Sequence, residues 1–139
     1  MKITVADSAG FCFGVAEAVQ KAHALLDEGE TFIMLGEIVH NQSVVDELID
    51  GGAKLIDEAK EVPRNSRVLI RAHGIPPEVY DILTEKSCEI IDCTCPFVGK
   101  IHRLVNDARE RGSTVIIAGD PNHAEVIGIK GHAGPGTIV

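Results

Sequence analysis

Short apolar runs alternate with amphipathic stretches along the chain, a rhythm typical of βαβ units. The apolar runs are rich in Val, Ile and Leu and have the length of buried strands. We predict strands at residues 3–5, 31–35, 67–71, 89–93 and 114–118. The pattern therefore predicts an α/β fold of parallel βαβ units, with helices on both faces of the sheet.

The stretches between these runs place apolar side chains at the spacing of one helical face. The first predicted helix follows a turn at residues 8–14 and stops near Gly29. Asn41 caps the second helix, Pro77 begins the third, and Gly112 ends the fourth. The short apolar piece at residues 53–56 receives no strand assignment.

The end of the chain bears on domain organisation. Residues 137–139 resemble the opening of a strand, and the edge of a strand has to be paired or covered. We therefore expect a truncated chain, with a first α/β unit at residues 1–96 and an incomplete second unit at residues 97–139.

Composition and charge say more about the class of function than about the fold. Of 139 residues, 45% are apolar and 4% aromatic, so aliphatic side chains build the core. The net charge of -8 disfavours a nucleic-acid binder, which needs basic residues against phosphates. No apolar run approaches the ~20 residues of a membrane span, and the start resembles no secretory signal. We expect a soluble, cytoplasmic protein that contacts neither nucleic acid nor membrane.

Cysteine and histidine side chains follow the predicted strands. Those that do so are Cys12, His40, His73, Cys95 and His123, the last with Glu125 two positions on. In open α/β sheets, ligands bind at the edge formed by the carboxyl ends of the strands. We therefore expect these side chains to share one site at that edge.

The four cysteines are unlike a disulfide set, because the predicted compartment keeps thiols reduced. Cys12 lies between two glycines and Cys95 precedes a proline, so each suits a metal ligand in an irregular loop, although plain burial is an equal alternative. Cys88 and Cys93 are interpreted as small buried side chains.

The histidines also leave alternatives open. His40 and His73 suit a phosphate pocket near helix N-termini, or solvated loops. His123 with Glu125 suits a proton relay, or an ordinary surface pair. Neither a Walker A motif nor GxGxxG occurs, so nucleotide binding has no support.

Five motifs resemble those of a known family in order and spacing. They are AGFCFGV at 9–15, GEIVHN at 36–41, RAHG at 71–74, TCPFV at 94–98 and HAEVIGIKG at 123–131. Together they are similar to the motifs of the 4-hydroxy-3-methylbut-2-enyl diphosphate reductases, the LytB family. The resemblance covers nearly the whole chain, whereas members of the family are considerably longer.

The resemblance implies an iron–sulfur oxidoreductase. Such enzymes remove the hydroxyl group of an allylic diphosphate with two electrons and protons, giving isopentenyl and dimethylallyl diphosphate at the end of the non-mevalonate isoprenoid pathway. It also implies three α/β units around a central cluster, and a reduced ferredoxin or flavodoxin-type protein as electron donor.

Site roles are implied by the resemblance in the same way. His40 and His73 would hold the diphosphate, and His123 would contact the substrate. Glu125 would feed the proton to the departing hydroxyl group. An open iron would act as the Lewis acid for that oxygen, and the cluster would carry the electrons.

Cys12 and Cys95 would be thiolate ligands of a [4Fe–4S] cluster, again by resemblance. The third cysteine ligand of the family lies beyond Val139, so the chain would need a missing C-terminal half to complete the cluster. The alternative is a catalytically inactive α/β fragment or binding module that retains these residues.

Two other kinds of metal site compete less well. All four cysteines could hold one metal, but Cys88 and Cys95 lie at opposite ends of a predicted strand, roughly 16 Å apart. A zinc deaminase shares the H-x-E element of His123, but its P-C-x-x-C partner is missing after Cys95.

Overall fold

Four parallel strands form the sheet of the computed structural model, which describes residues 1–7 and 9–139. The strands are β1 (Ile33–Leu35), β2 (Lys54–Ile56), β3 (Arg67–Ile70) and β4 (Glu89–Asp92), in the spatial order β2-β1-β3-β4. The helices are α1 (Phe13–Asp27), α2 (Gln42–Asp50), α3 (Pro77–Glu85), α4 (Pro96–Glu110) and α5 (Ala124–Ala133). Ser8, where the predicted turn opens, lies outside the described residues.

Helices cover both faces of the sheet, as predicted. Side chains alternate across a strand, so Met34 and Leu69 face one side while Ile33 and Val68 face the other. The first side packs against α1 and α2, and the second against α3 and the segment between β2 and β3. The central strands β1 and β3 are nearly continuous aliphatic runs because they are buried from both directions.

Local sequence explains several helix ends. The Asn41 side chain accepts a hydrogen bond from the Val44 N–H at 3.4 Å and caps α2. Gly29 has a φ of 73°, and the N–H groups of residues 29 and 30 bond back to the carbonyls of Leu26 and Leu25. This Schellman arrangement ends α1 where the sequence predicts.

Two predicted strands are wrong. Ile3 and Val5 are 74% and 73% exposed and lie in irregular backbone, since no described strand pairs with residues 3–5. Residues 114–118 also form no strand: Ile116 makes one isolated parallel bridge with Ile138 and is 74% exposed. A strand depends on a hydrogen-bonded neighbour, which the local apolar pattern does not report.

Two elements lie outside the predictions. The apolar piece at residues 53–56 contains the edge strand β2, and α5 follows directly after His123. Glycines interrupt α5 at Gly128 and Gly131, so it has no amphipathic stripe. This helix packs against α4 and α3. The proposed boundary between two α/β units near residue 96 stays a prediction.

Among the described residues, no helix combines the length and apolar character needed to cross a membrane.

Candidate functional site

Three histidines meet at the carboxyl edge of the sheet. The ring centroids of His40 and His73 are 4.6 Å apart, and each lies 5.8 Å from the ring of His123. His40 follows β1, His73 follows β3, and His123 caps α5. The structure therefore brings together the three imidazoles that the sequence assigned to one site, and we name them the histidine triangle.

Backbone pairing beyond the strands holds two of the site loops side by side. The Cys93 N–H donates to the Ile70 carbonyl at 3.1 Å, and the Cys95 N–H donates to the Ala72 carbonyl at 2.9 Å. The ladder of β3 and β4 thus continues into the segments that carry His73 and Cys95. These two residues take their positions from the sheet itself.

The Asp92 carboxylate orders the start of the Cys95 loop. One of its oxygens accepts the Thr94 N–H at 2.8 Å, and the other accepts the Tyr80 hydroxyl at 2.6 Å. Burial and this carboxylate raise the pKa of Tyr80, so the phenol stays protonated and donates. Neither residue was among the sequence candidates.

The two candidate ligand cysteines occupy equivalent positions on adjoining helices. Cys12 is the N-cap of α1 and Cys95 is the N-cap of α4. A Cβ atom on Gly14 would lie 2.5 Å from the Cys95 sulfur, so the first turn of α1 packs directly on that thiol. Within residues 1–7 and 9–139, no group of three or more His, Cys, Asp or Glu side chains is arranged to hold a metal ion.

Of the remaining cysteines, Cys93 is buried as interpreted from the sequence, whereas Cys88 is only half-buried. Cys93 is 5% exposed, and burial raises the pKa of its thiol to about 11. The Cys88 thiol lies near the Pro63 carbonyl, with 3.6 Å between the two heavy atoms. Cys88 precedes β4 and Cys95 follows it, so the geometry gives no support to a site that uses all four thiols.

His123 and Glu125 are joined at the start of α5 rather than in a loop. The His123 Nδ1 accepts the Glu125 N–H at 3.2 Å, which caps the helix. A neutral ring that accepts at Nδ1 carries its proton on Nε2. Glu125 lies in the first helical turn, one position after Ala124.

His73 is the half-buried member of the triangle. Burial, followed by the proximity of His40, Arg71 and His123, lowers the pKa of His73 to about 4. Its Nδ1 is enclosed and has no hydrogen-bond partner among the described residues. An enclosed ring nitrogen without a partner is costly, and a bound ligand could satisfy it.

Arg71 supplies positive charge that the sequence analysis did not assign. Its guanidinium lies against the backbone of Gly36, where a Cβ would be 2.6 Å from Nη1. Burial lowers the pKa of Arg71, and Asp57 and Glu37 oppose that shift. Its Nε is buried without a partner in the described part of the chain. The RAHG motif contained the information needed to find Arg71, because a charged residue directly after a buried strand is a candidate site residue.

Helix ends add to the positive character of this edge. The N-caps of α1, α2, α4 and α5 are Cys12, Asn41, Cys95 and His123. A helix N-terminus carries a partial positive charge and unpaired N–H groups, which favour an anion. Together with Arg71 and the histidine triangle, these ends form a site suited to an anionic ligand.

A profile described as LytB protein matches residues 3–139. This chain belongs to the LytB protein family. It is 41% identical over 135 residues to a 4-hydroxy-3-methylbut-2-enyl diphosphate reductase of Thermoanaerobacter sp. strain X514, covering 94% of this chain and 47% of that protein. A Chlamydia trachomatis serovar L2 reductase of the same name is 42% identical over 133 residues, covering 95% and 43%.

Two solved structures share the LytB fold of this chain. The E-1-hydroxy-2-methyl-but-2-enyl-4-diphosphate reductase of Plasmodium falciparum superimposes with a TM-score of 0.86 at 34% identity, covering 91% of this chain and 40% of that one. A structure titled (E)-4-hydroxy-3-methyl-but-2-enyl diphosphate reductase, the terminal enzyme of the non-mevalonate pathway, gives 0.78 at 40% identity, covering 94% and 46%. The LytB chain spans about half the length of the curated relatives it matches.

Proposed function

We propose that this LytB chain forms the diphosphate-binding and proton-donating half of a 4-hydroxy-3-methylbut-2-enyl diphosphate reductase. The histidine triangle carries the proposal, since three imidazoles within 5.8 Å beside an arginine and several helix N-termini suit a diphosphate. The overall reaction consumes the substrate, two electrons and two protons. It releases water and either isopentenyl or dimethylallyl diphosphate, the last products of the non-mevalonate pathway.

In this proposal His40 and His73 hold the diphosphate. His40 is 60% exposed in its side chain and reaches a ligand from solvent, whereas His73 offers a buried nitrogen that lacks a partner. A phosphate oxygen at His73 would accept its ring N–H and favour the protonated ring, opposing the effect of burial on its pKa. Arg71, half-buried behind the ring, adds positive charge that does not titrate.

His123 contacts the substrate and Glu125 delivers the proton. The cap places the His123 Nδ1 on the Glu125 N–H, so its Nε2 is the nitrogen left to donate to substrate. Glu125 in its acid form protonates the departing hydroxyl group, which leaves as water. His123 is the N-cap of α5 and Glu125 lies two positions on, in the first turn, so both side chains are carried by the same helix end.

The chemistry of the donor set fits a cluster that is completed from outside this chain. Cys12 and Cys95 are soft ligands on adjoining helix ends, and a [4Fe–4S] cluster takes such thiolates. A third thiolate would come from the half of the relatives that this chain does not span. When bound, the cluster would supply two electrons in turn and a Lewis-acidic iron. The proposed electron donor is a reduced ferredoxin or flavodoxin-type protein. The proposed location of the reaction is the cytoplasm.

An apolar stripe beside the cysteines is the proposed contact for that second half. Phe97, Ile101 and Leu104 recur on one side of α4 and are 72%, 37% and 56% exposed. Phe11 and Phe13 flank Cys12 and are 46% and 67% exposed. We define these five residues, three on α4 and two beside Cys12, as the α4 stripe. Exposed apolar residues grouped in this way indicate an interface. Because these residues lie beside Cys12 and Cys95, which form an incomplete ligand set, the proposed partner is the second half of the protein.

Pyrophosphate binding tests the anion site in the chain as it stands. Calorimetry should detect binding, and His73→Asn should weaken it about tenfold, because a charge-assisted hydrogen bond is lost. His23→Asn, on α1, is the matched control and should bind like the parent. Equal affinity in His73→Asn and the parent would place the anion elsewhere.

Turnover tests the whole proposal. The chain is mixed with the C-terminal half of the Thermoanaerobacter relative, reconstituted anaerobically with iron and sulfide, and assayed with a chemical reductant. We expect turnover from the mixture, its loss in Cys95→Ala and Glu125→Gln, and its retention in Cys88→Ala. If the mixture with Glu125→Gln holds a cluster and turns over as fast as the parent mixture, Glu125 is not the proton donor.

A second candidate is a non-catalytic diphosphate-binding module. It is favoured by the length of the chain, which covers 47% of the Thermoanaerobacter relative and holds two of the proposed cysteine ligands. Reductase turnover by the purified 139-residue chain alone would eliminate it.

A further inference from the structure

His102 is an imidazole that the proposed reaction does not use. It lies on α4 and is 6% exposed. Its ring stacks on that of His132 on α5, with centroids 4.0 Å apart and an interplanar angle of 20°. Both residues lie outside the five sequence motifs.

The His102 ring fills a narrow gap between two glycines. A Cβ on Gly74 would lie 2.6 Å from the His102 Cε1, and a Cβ on Gly128 would lie 3.2 Å from its Nε2. Gly74 directly follows His73, and Gly128 lies on the helix that His123 caps. One ring therefore separates the two segments that carry these members of the triangle.

His132 fastens the same turn from the other side. Its Nε2 is 3.1 Å from the Ile75 carbonyl oxygen and donates to it in the neutral ring. Burial lowers the pKa of His132. The pKa of His102 is lowered to about 4, mainly by burial and then by the proximity of His132. Both rings are thus neutral near pH 7 and stack without charge repulsion.

Simple packing does not account for an imidazole here. The His102 Nε2 is buried without a partner among the described residues, a cost that an apolar side chain would avoid. A branched aliphatic side chain, however, is thicker than a flat ring. The gap between the Gly74 and Gly128 backbones admits a plane, and His132 offers that plane a stacking surface.

We propose that His102 is a positioning residue that holds His73 and His123 at their separation of 5.8 Å, with His132 as its brace. The proposal rests on the proposed function only for the identity of the ligand, since the spacing of the two rings is a property of the chain alone. His102 itself touches no substrate and acts through the turn at Gly74 and through α5.

The test uses the full chain with ¹³C-labelled histidine rings. In His102→Leu, the ring signals of His73 and His123 should shift and the Overhauser contact between the two rings should weaken. Pyrophosphate affinity should fall about tenfold, because misplacing one contact by a fraction of an ångström loses most of its contribution. His23→Leu is the control and should change none of these. A residue with a merely structural role would lower the melting temperature and leave the ring contact and affinity as they are, and that result would overturn the proposal.

A second variant decides the question if His102→Leu fails to fold. Gly128→Ala adds one methyl group 3.2 Å from the His102 Nε2 and 3.4 Å from the His73 carbonyl oxygen. It should shift the same two ring signals, whereas Gly99→Ala, which meets nothing within 4 Å on α4, should not. Unchanged ring signals in a folded Gly128→Ala chain would overturn the proposal. If the parent chain binds no pyrophosphate, the proposed function fails, and the ring signals still decide the role of His102.

Discussion

Replacing Gly14 by alanine tests the contact that brings the two candidate ligand helices together. The added Cβ would lie 2.5 Å from the Cys95 sulfur and 2.9 Å from the Cys95 Cβ. Ordinary contacts between such atoms need roughly 3.5–4 Å. Rotating the Cys95 side chain moves the sulfur but not its Cβ, so the backbone of α1 or α4 has to shift.

The magnitude follows from this overlap. Forcing a methyl group into a packed contact costs about 1–3 kcal/mol, while alanine in a helix recovers at most ~1 kcal/mol relative to glycine. Gly14→Ala should therefore lower the free energy of unfolding by about 1–2 kcal/mol. Gly99→Ala is the matched control, because it lies near the start of α4, its Cβ meets nothing within 4 Å, and it should raise stability by about 0.5–1 kcal/mol.

Urea unfolding followed by circular dichroism measures both variants against the parent. A second readout is the alkylation rate of Cys95, obtained by peptide mapping, which should rise in Gly14→Ala because the displaced thiol loses its cover. If Gly14→Ala were as stable as Gly99→Ala and Cys95 reacted at the parent rate, α1 would not pack on Cys95. Cys12 and Cys95 would then not be held at one site by this helix contact.

Three further predictions concern stability and assembly. Asn41→Ala should cost about 1 kcal/mol of unfolding free energy, measured in urea, because α2 loses its cap; an unchanged midpoint would contradict this. Burial lowers the pKa of His73 and His102 to about 4, so between that pH and about 6.5 the unfolded chain binds more protons than the folded chain. The free energy of unfolding should fall as the pH drops through this window, by roughly 1–2 kcal/mol at pH 5 after allowance for screening; a flat profile would oppose this. The isolated chain should self-associate through the α4 stripe, and Leu104→Ser should reduce that association in sizing chromatography, whereas a clean monomer of the parent would refute it.

The sheet was predictable where a strand contains a local aliphatic run. The run at residues 67–71 contains β3, and the run at residues 89–93 contains β4, each within one residue of its predicted end. The aliphatic residues of β3 are buried from both directions, and β4 keeps two half-buried isoleucines between exposed ends, so in both runs the local sequence carries the information. Residues 3–5 and 114–118 have the same local character without a sheet neighbour, and the pattern could not distinguish them.

The edge that carries the site was also predictable, but its detailed chemistry was not. Parallel topology requires His40 and His73 to lie at one edge, and the histidine triangle confirms their proximity. The positions of Arg71 and His102 depend on how the loop at Gly36 and the helix α5 pack, which no short pattern encodes. Roles for Cys12 and Glu125 stay predictions.

The continuation of the β3–β4 ladder into the site has a consequence for how the site opens. The Cys95 amide is hydrogen-bonded to the Ala72 carbonyl where the β3–β4 ladder continues past the strands, so its exchange with solvent deuterium requires that end of the ladder to open. The described residues before Cys12 are exposed, and among them the Ala9 N–H donates to the Ala6 carbonyl. The two thiols therefore differ in how their backbone is held: Cys95 is tied to the end of the β3–β4 ladder, whereas Cys12 is tied to the first turn of α1, where its carbonyl accepts the Ala16 N–H. We expect the Cys95 amide to exchange more slowly than the amides that precede Cys12.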